Sequence, residues 1–377
     1  MEPEQSAFKP VYILGAGASA ALGTPLMNNF LSEARALQYS GKIPAEIAQM
    51  FDEVFTYQGS LYETRKYLGL DLDNIETLFS ILDMHLQTET SLGEDSAPTN
   101  SETGRLQKIR DSFISLVLET IAQTTNYSHP NYQKVISCLA RPIGSSFITF
   151  NYDQAIEKAI AYSAQSSSER NYFIDYGASD KDEKNPDWIY VLKLHGSVNW
   201  TYCSKCGSFK NLEKHVLPCH LVSNNHQLHD LGKCREIDSF TNVIVPPTWY
   251  KYNYLPIITK VWNHSIRQIS LATHLFIIGY SFPRTDVFFD QLLTLGLRHS
   301  RNLKKVIVIN SSPTIRNVLE GFFDKHFLTR HVHFFPCKLE DLDGCFTDPI
   351  KNEKGMEDTI RVIDREARRR YSSQFTS

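Results

Sequence analysis

Val11-Tyr-Ile-Leu-Gly-Ala-Gly-Ala-Ser-Ala20 decides the reading of the fold. Val11 to Leu14 is a short apolar run, the pattern of a strand buried on both faces of a parallel sheet. It leads directly into Gly15-Ala16-Gly17-Ala18-Ser19, and small residues continue to Gly23. This predicts a strand, a tight glycine turn, and a helix that begins with small side chains. Glycine suits the turn because a Cβ would block the approach of backbone to a phosphate. A helix N-terminus would add free N–H groups and partial positive charge for a diphosphate. A tight strand-to-helix turn without a ligand fits the same residues. Ala20 stands where G-x-G-x-x-G has its third glycine. No acidic residue ends a second strand ~20 residues later, as an ordinary dehydrogenase needs for its ribose; Glu33 falls too early, inside a helical stretch.

Outward from this stretch, residues 26–145 read as mostly helical. Ile75, Leu78, Phe79 and Leu82 recur at i, i+3, i+4, i+7, and Phe113, Leu116, Val117 and Ile121 form a second such face. Thr88 to Gly104, rich in Ser, Thr, Glu and Gly, reads as a surface loop. The sheet resumes with Ser146-Phe-Ile-Thr-Phe-Asn-Tyr-Asp153, followed by a helix over Gln154 to Ala164. Further strands are expected at Trp188–Leu194, Asn242–Val245, His274–Gly279, Lys305–Asn310 and Val332–Phe335. Strands separated by long crossovers imply an α/β fold, a Rossmann-like doubly wound parallel sheet.

The composition is globular: 377 residues, 42% hydrophobic and 21% charged. The 39 Lys and Arg against 42 Asp and Glu leave a net charge of −3, which argues against nonspecific nucleic-acid binding by the whole chain. No apolar run reaches the ~20 residues that span a bilayer. The first ten residues lack a basic region before an apolar core, so no signal peptide is expected. Seven Cys, an odd number, fit reduced thiols in a cytoplasmic protein. Trp249-Tyr-Lys-Tyr252 reads as core or interface before a stacking platform. Arg361 to Arg370 reads as a solvated helix face before a partner or nucleic-acid contact.

The C-terminal ends of the expected strands carry Gly15-Ala-Gly17, Asn151 and Asp153, His195, Gly279-Tyr-Ser281, and Asn310. In open α/β sheets ligands bind outside those ends. Plainer roles stay open: an Asx cap for Asp153, a turn residue before Pro313 for Asn310, a satisfied buried imidazole for His195.

Taken in order, G-A-G-A-S, T-F-N-Y-D, L-H-G, a Cys-rich insert, G-Y-S and I-N-S resemble the sirtuin family over residues 11–311. Phe150 departs from the family's usual Gln. With the long helical insertion, that departure looks like the divergent sirtuin-like domains of bacterial antiphage systems. The resemblance implies one sirtuin-like Rossmann domain over 1–340, with a helical insertion at about 26–145, a zinc-ribbon-like insertion at about 201–240, and a C-terminal tail or helix over 341–377. It implies that Gly15, Ala16, Gly17 and Ser19 hold a diphosphate. Asn151 would place the nicotinamide ribose and a water, Asp153 would accept from the nicotinamide carboxamide, and His195 would take a ribose hydroxyl proton. Gly279 and Ser281 would line the diphosphate and ribose, and Asn310 would bind the adenosine ribose.

The residue types suit that chemistry. The nicotinamide leaving group is already cationic, so its departure needs no strong general acid. The protein must orient the ribose, stabilise an oxocarbenium-like state and aim a water. The expected function is NAD+ glycohydrolase activity in bacterial antiphage defence by NAD+ depletion. Activation would come by homo-oligomeric assembly or by a partner, such as a DNA-translocating ATPase or a nucleic-acid-guided protein. An NAD-dependent protein deacylase and a noncatalytic NAD or ADP-ribose sensor are the alternatives. Cys203-x-x-Cys206-Gly207 with Cys219 and Cys234 suggests a structural Zn2+ site; mixed Cys/His ligation and a metal-free ribbon stay open. Cys138, Cys337 and Cys345 read as ordinary buried thiols.

Overall fold

The computed structural model describes residues 8–92, 102–140, 145–166, 173–178, 188–203, 205–212, 240–245, 256–282, 287–298, 300–345 and 353–371. The strands are β1 (Pro10–Leu14), β2 (Ser146–Thr149), β3 (Phe173–Asp175), β4 (Trp188–Lys193), β5 (Gly196–Cys203), β6 (Phe209–Asn211), β7 (Phe240–Ile244), β8 (His274–Ile278), β9 (Lys305–Ile309) and β10 (Val332–Phe335). The helices are α1 (Phe30–Tyr39), α2 (Ala45–Leu61), α3 (Ile75–Leu92), α4 (Glu102–Thr124), α5 (Pro130–Ala140), α6 (Ala155–Ser166), α7 (Pro256–Leu271), α8 (Val287–Leu297), α9 (Ile315–Phe322), α10 (Lys325–His331) and α11 (Glu353–Arg370). They fall into two compact units: Met1–Gly23 with Asn126–Leu194 and Pro256–Ser377, and Thr24–Thr125 with His195–Leu255.

The first unit is built on a seven-stranded sheet in the order β10-β9-β8-β1-β2-β4-β3. All its pairings are parallel. From β1 at the centre the chain passes to β2, then to β3 at the edge, steps back to β4 between them, and later returns to β8 on β1's other side before continuing to β9 and β10. The order reverses between β1 and β8, which makes that pair the topological switch point. Register places Leu14, Thr149, Lys193, Ile278, Ile309 and Phe335 in one row across the sheet. The residues that follow these strands therefore lie along one edge.

The central strands are apolar on both faces because both faces are covered. Tyr12 stacks on Phe147 with ring centroids 5.1 Å apart and meets Phe276 at 5.0 Å. Side chains of α5, α6 and α11 join the same core. Each such aromatic or aliphatic side chain contributes about 1.5–3 kcal/mol on burial.

The second unit holds α1 to α4 and an antiparallel sheet in the order β6-β5-β7. Phe79 of α3 meets Phe113 of α4 edge-on at 4.5 Å. Gln58 of α2 is buried with its amide fully used: Arg35 donates to Oε1, and Nε2 donates to Leu72 O and an Asp73 carboxylate oxygen.

Several expectations change. No α-helix follows the glycine turn; two 3-10 turns, Ala16–Ala18 and Ala20–Leu22, lead instead towards α1. The strand expected at Asn242–Val245 is real but lies in the antiparallel sheet, because among the described residues β7 pairs with β5 alone. The helical segment expected over about 26–145 is divided: 24–125 belong to the second unit, while α5 packs in the first. Of the loop expected over Thr88–Gly104, residues 88–92 and 102–104 are helical. Within the tail or helix expected over 341–377, the described residues form the helix α11, and its Ile360, Ile363 and Ala367 enter the core of the first unit. The Arg-rich end of that helix is a solvated face, with Arg368 paired to Asp364 and Arg369 to Glu366 at i+4 and i+3 spacing. Trp249–Tyr252 lies outside the described residues. No helix among the described residues is long and apolar enough to cross a membrane.

Candidate functional site

The site is best built from the switch point. Gly15 N–H donates to Ile278 O and Gly17 N–H to Gly279 O, both at 2.9 Å, so the turn after β1 docks on the turn after β8. Gly279 has φ +63°, and a Cβ there would meet Ala18 N at 2.1 Å. A Cβ on Gly15 or Gly17 would meet Gly279 O at 2.7 or 2.8 Å. The glycines are therefore required first by backbone meeting backbone, whatever else the turn binds. Gly17 and Ser281 are exposed, Ala16 is half-buried and Ser19 is buried.

Asn151 is held onto this turn. Thr149 Oγ1 donates to Leu14 O and accepts the Asn151 N–H, each at 3.0 Å. The Asn151 Nδ2 group then donates to Gly15 O at 2.9 Å and to Ser19 Oγ at 3.1 Å. Both amide hydrogens thus brace the glycine turn. Asn310 braces the neighbouring one: its Nδ2 donates to Tyr280 O at 2.8 Å, and its Oδ1 accepts the Ser312 N–H at 2.9 Å. The turn role considered for Asn310 is present in the structure.

Asp153 is 4% exposed. Its Oδ1 accepts the Ala155 N–H at 2.9 Å and so caps α6. Its Oδ2 is buried with no hydrogen-bond partner. A buried carboxylate oxygen left without a donor is costly, and such atoms mark places where a ligand or water belongs. The Tyr132 hydroxyl is buried as well, facing the Ser19 side chain. Burial, and then the Asp153 charge, hold its ionisation well above the usual phenol range, so it is a neutral donor.

Three contributors escaped sequence analysis. Lys193, fully buried at the end of β4, donates to Tyr152 O, Asp153 O and Glu157 Oε1. Glu157 and Tyr132 are the others. The signal for Lys193 was a lone charge in the apolar run Trp188–Leu194. Phe150, the departure from the family pattern, is 8% exposed and faces Tyr280 at 5.6 Å, Phe289 at 6.1 Å and Trp262 at 6.5 Å. It walls the turns with apolar surface where Gln would offer an amide. Beside it Phe282 carries φ +52°, a strained value for an aromatic residue.

His195 is the first residue of the second unit; it is 8% exposed, and its carbonyl accepts the Val245 N–H at 2.8 Å. In that unit Cys203 and Cys206 sit on the turn joining β5 to β6. Cys203 Sγ accepts the Cys206 N–H at 3.5 Å, and Gly207 adopts φ +70°. Two thiols on one tight turn suit a pair of zinc ligands. Cys219 and Cys234 lie outside the described residues, and the described residues hold no group of three or more His, Cys, Asp or Glu placed for a metal. Cys138, Cys337 and Cys345 are buried, as expected.

Residues 145–330 match the family model described as a SIR2-like domain. Among solved structures, a Sir2 homologue in complex with NAD is 15% identical, matched over 96% of this chain and 91% of that one, with a TM-score of 0.38. Sir2Tm bound to a propionylated peptide is 13% identical over 90% and 91%, with a TM-score of 0.33. A comparison with curated proteins finds no match. The fold assignment stands on the strand order and the family match.

Proposed function

We propose that the protein binds NAD+ at the β1/β8 switch point and hydrolyses its nicotinamide glycosidic bond. The observation that carries this reading is the unpartnered Asp153 Oδ2, buried two residues from an asparagine clamped to the glycine turn, whose Gly17 is exposed. An uncharged carboxamide N–H is a fitting donor for that oxygen. Gly15, Ala16, Gly17 and Ser19 line the diphosphate; the Gly15, Gly17 and Ser19 N–H groups are held within the docked turns, so the glycines serve by leaving room for the phosphates. Gly279 and Ser281 line it, and Asn310 acts at the adenosine ribose through the turn it holds. Asn151, with both amide hydrogens engaged, offers Oδ1 to orient the ribose and the water.

In the reaction the C1′–N bond breaks with its electron pair passing to nicotinamide. Water adds to C1′ and loses one proton, giving nicotinamide and ADP-ribose. Positioning and charge stabilisation supply the rate. His195 takes a ribose hydroxyl proton as charge develops and returns it once water has added, so that one proton leaves in net; the role is assigned from its place in the L-H-G motif. The SIR2-like match and the helical segment fit an antiphage effector that depletes NAD+ and is switched on by assembly or by a partner. Cys203 and Cys206, completed by Cys219 and Cys234, hold a structural zinc; less than about a tenth of an equivalent per chain by metal analysis would remove that claim.

The test is free nicotinamide released from NAD+ by the full chain, with and without host lysate or acylated peptide. Peptide-independent release supports hydrolysis. Release only with acylated peptide would replace it by deacylation, and NAD+ binding with no release under any condition would replace it by a sensor. Asn151→Ala and His195→Ala should each lower turnover at least about 100-fold. A folded variant with wild-type turnover removes the role given to that residue.

A further inference from the structure

We infer that Lys193 and Glu157 form a buried positioning pair that fixes the Asn151–Asp153 segment for the reaction; this rests on the hydrolase reading above. The Lys193 side chain is 0% exposed, and Glu157 faces it at 3.2 Å with its own side chain 9% exposed. The ammonium also donates to the carbonyls of Tyr152, at 3.5 Å, and Asp153. Two of its three acceptors are thus the peptide carbonyls directly after Asn151. The pair ties the end of β4 to the loop after β2 and to the first turn of α6.

Stability alone does not account for this choice. A buried ion pair loses hydration that an apolar pair of similar volume never had, so replacement by apolar residues is often neutral or stabilising. Here the pair is also incompletely satisfied, since Glu157 Oε2 is buried with no partner. What the ammonium offers that an apolar side chain cannot is a directional hold on two carbonyls. Rotation of those peptide planes would swing both the Asn151 amide and the Asp153 carboxylate. Displacements near 1 Å in positioning elements cost about 100-fold in rate.

The experiment compares Glu157→Gln, Lys193→Met and the double variant Lys193→Met/Glu157→Leu with the wild type. It records kcat and KM for nicotinamide release, the thermal midpoint, and amide hydrogen exchange over residues 150–155. Lys193→Met should lower the midpoint because it strands a buried carboxylate. The double variant should recover the midpoint yet keep kcat about 30- to 100-fold down, with KM within about threefold. Glu157→Gln, which keeps an acceptor, should lose about three- to tenfold in kcat alone. Joint recovery of midpoint and kcat in the double variant overturns the inference, and so does wild-type kcat in Glu157→Gln. If the wild type releases no nicotinamide with or without host lysate, the hydrolase reading fails by itself. The pair is then judged by exchange: amides over 151–155 faster by about tenfold or more in the double variant support it, and unchanged exchange overturns it.

Discussion

Gln58 and Asp153 are both buried polar side chains, one in each unit, and they are served very differently. Every hydrogen-bonding group of the Gln58 amide has a partner within its own unit. Asp153 has one oxygen capping a helix and another with nothing to accept. A polar group that is fully partnered inside the protein has a structural task. One left unpartnered at the C-terminal edge of a parallel sheet, one strand from the switch point, is a place where a donor from outside the chain fits.

The largest effect should come from the backbone that carries this edge. Gly279→Ala forces a Cβ into Ala18 N at a positive φ, and the first unit should lose about 2–4 kcal/mol together with NAD+ binding. Thermal unfolding and ADP-ribose titration measure both. A stable, binding-competent variant would show that the close turn docking is dispensable.

The comparison itself is tested by a crossed pair. Asp153→Asn keeps the Oδ1 cap and should cost about 100-fold in nicotinamide release with little change in stability. Gln58→Ala should cost about 1–3 kcal/mol of stability and leave the KM for NAD+ unchanged. If the two variants exchange these outcomes, the division of tasks is wrong.

Thiol chemistry should divide along similar lines. Burial, chiefly, pushes the Cys337 thiol up to about 12 and the Cys345 thiol up to about 11, so both stay protonated and shielded at neutral pH. Cys206 is exposed. In native protein free of metal, iodoacetamide mapping should find Cys206 modified well before either buried thiol.

The finest effect concerns His333. Burial, and then the Lys305 charge, hold its imidazole below the ordinary value of 6.5. The unfolded chain therefore binds the proton more readily. The contribution is fully present above about pH 6.5 and is lost as pH falls through the lower folded value. His333→Gln should flatten that part of the stability–pH curve, and an unchanged slope would assign it to other groups.

The site was partly legible because strand ends are. Apolar runs that stop at Gly15, Asn151, Gly279 and Asn310 announce buried parallel strands, and register then lines those residues up. Tyr132, Glu157 and Lys193 were hidden because their significance depends on who faces them. Tyr132 reads as one more core aromatic on α5, and Glu157 as an ordinary first-turn acid. The order of β5 to β7 was hidden for a similar reason, since Asn242–Val245 looks the same whether its neighbour runs parallel or antiparallel.

Local composition alone determined the glycine turn after β1, the alternation of strands and helices, and the burial of Cys138, Cys337 and Cys345, because hydrophobic periodicity and glycine's missing Cβ act within a few residues of chain. Only the tertiary structure decided that α5 and α11 belong to the parallel-sheet unit. The same is true of Gly279 needing no side chain because another turn lies against it, and of one carboxylate oxygen of Asp153 being left without a donor. Those facts are set by contacts between separate elements, from neighbouring helices to the turns of Gly15 and Gly279, where packing and hydrogen-bond satisfaction are settled together.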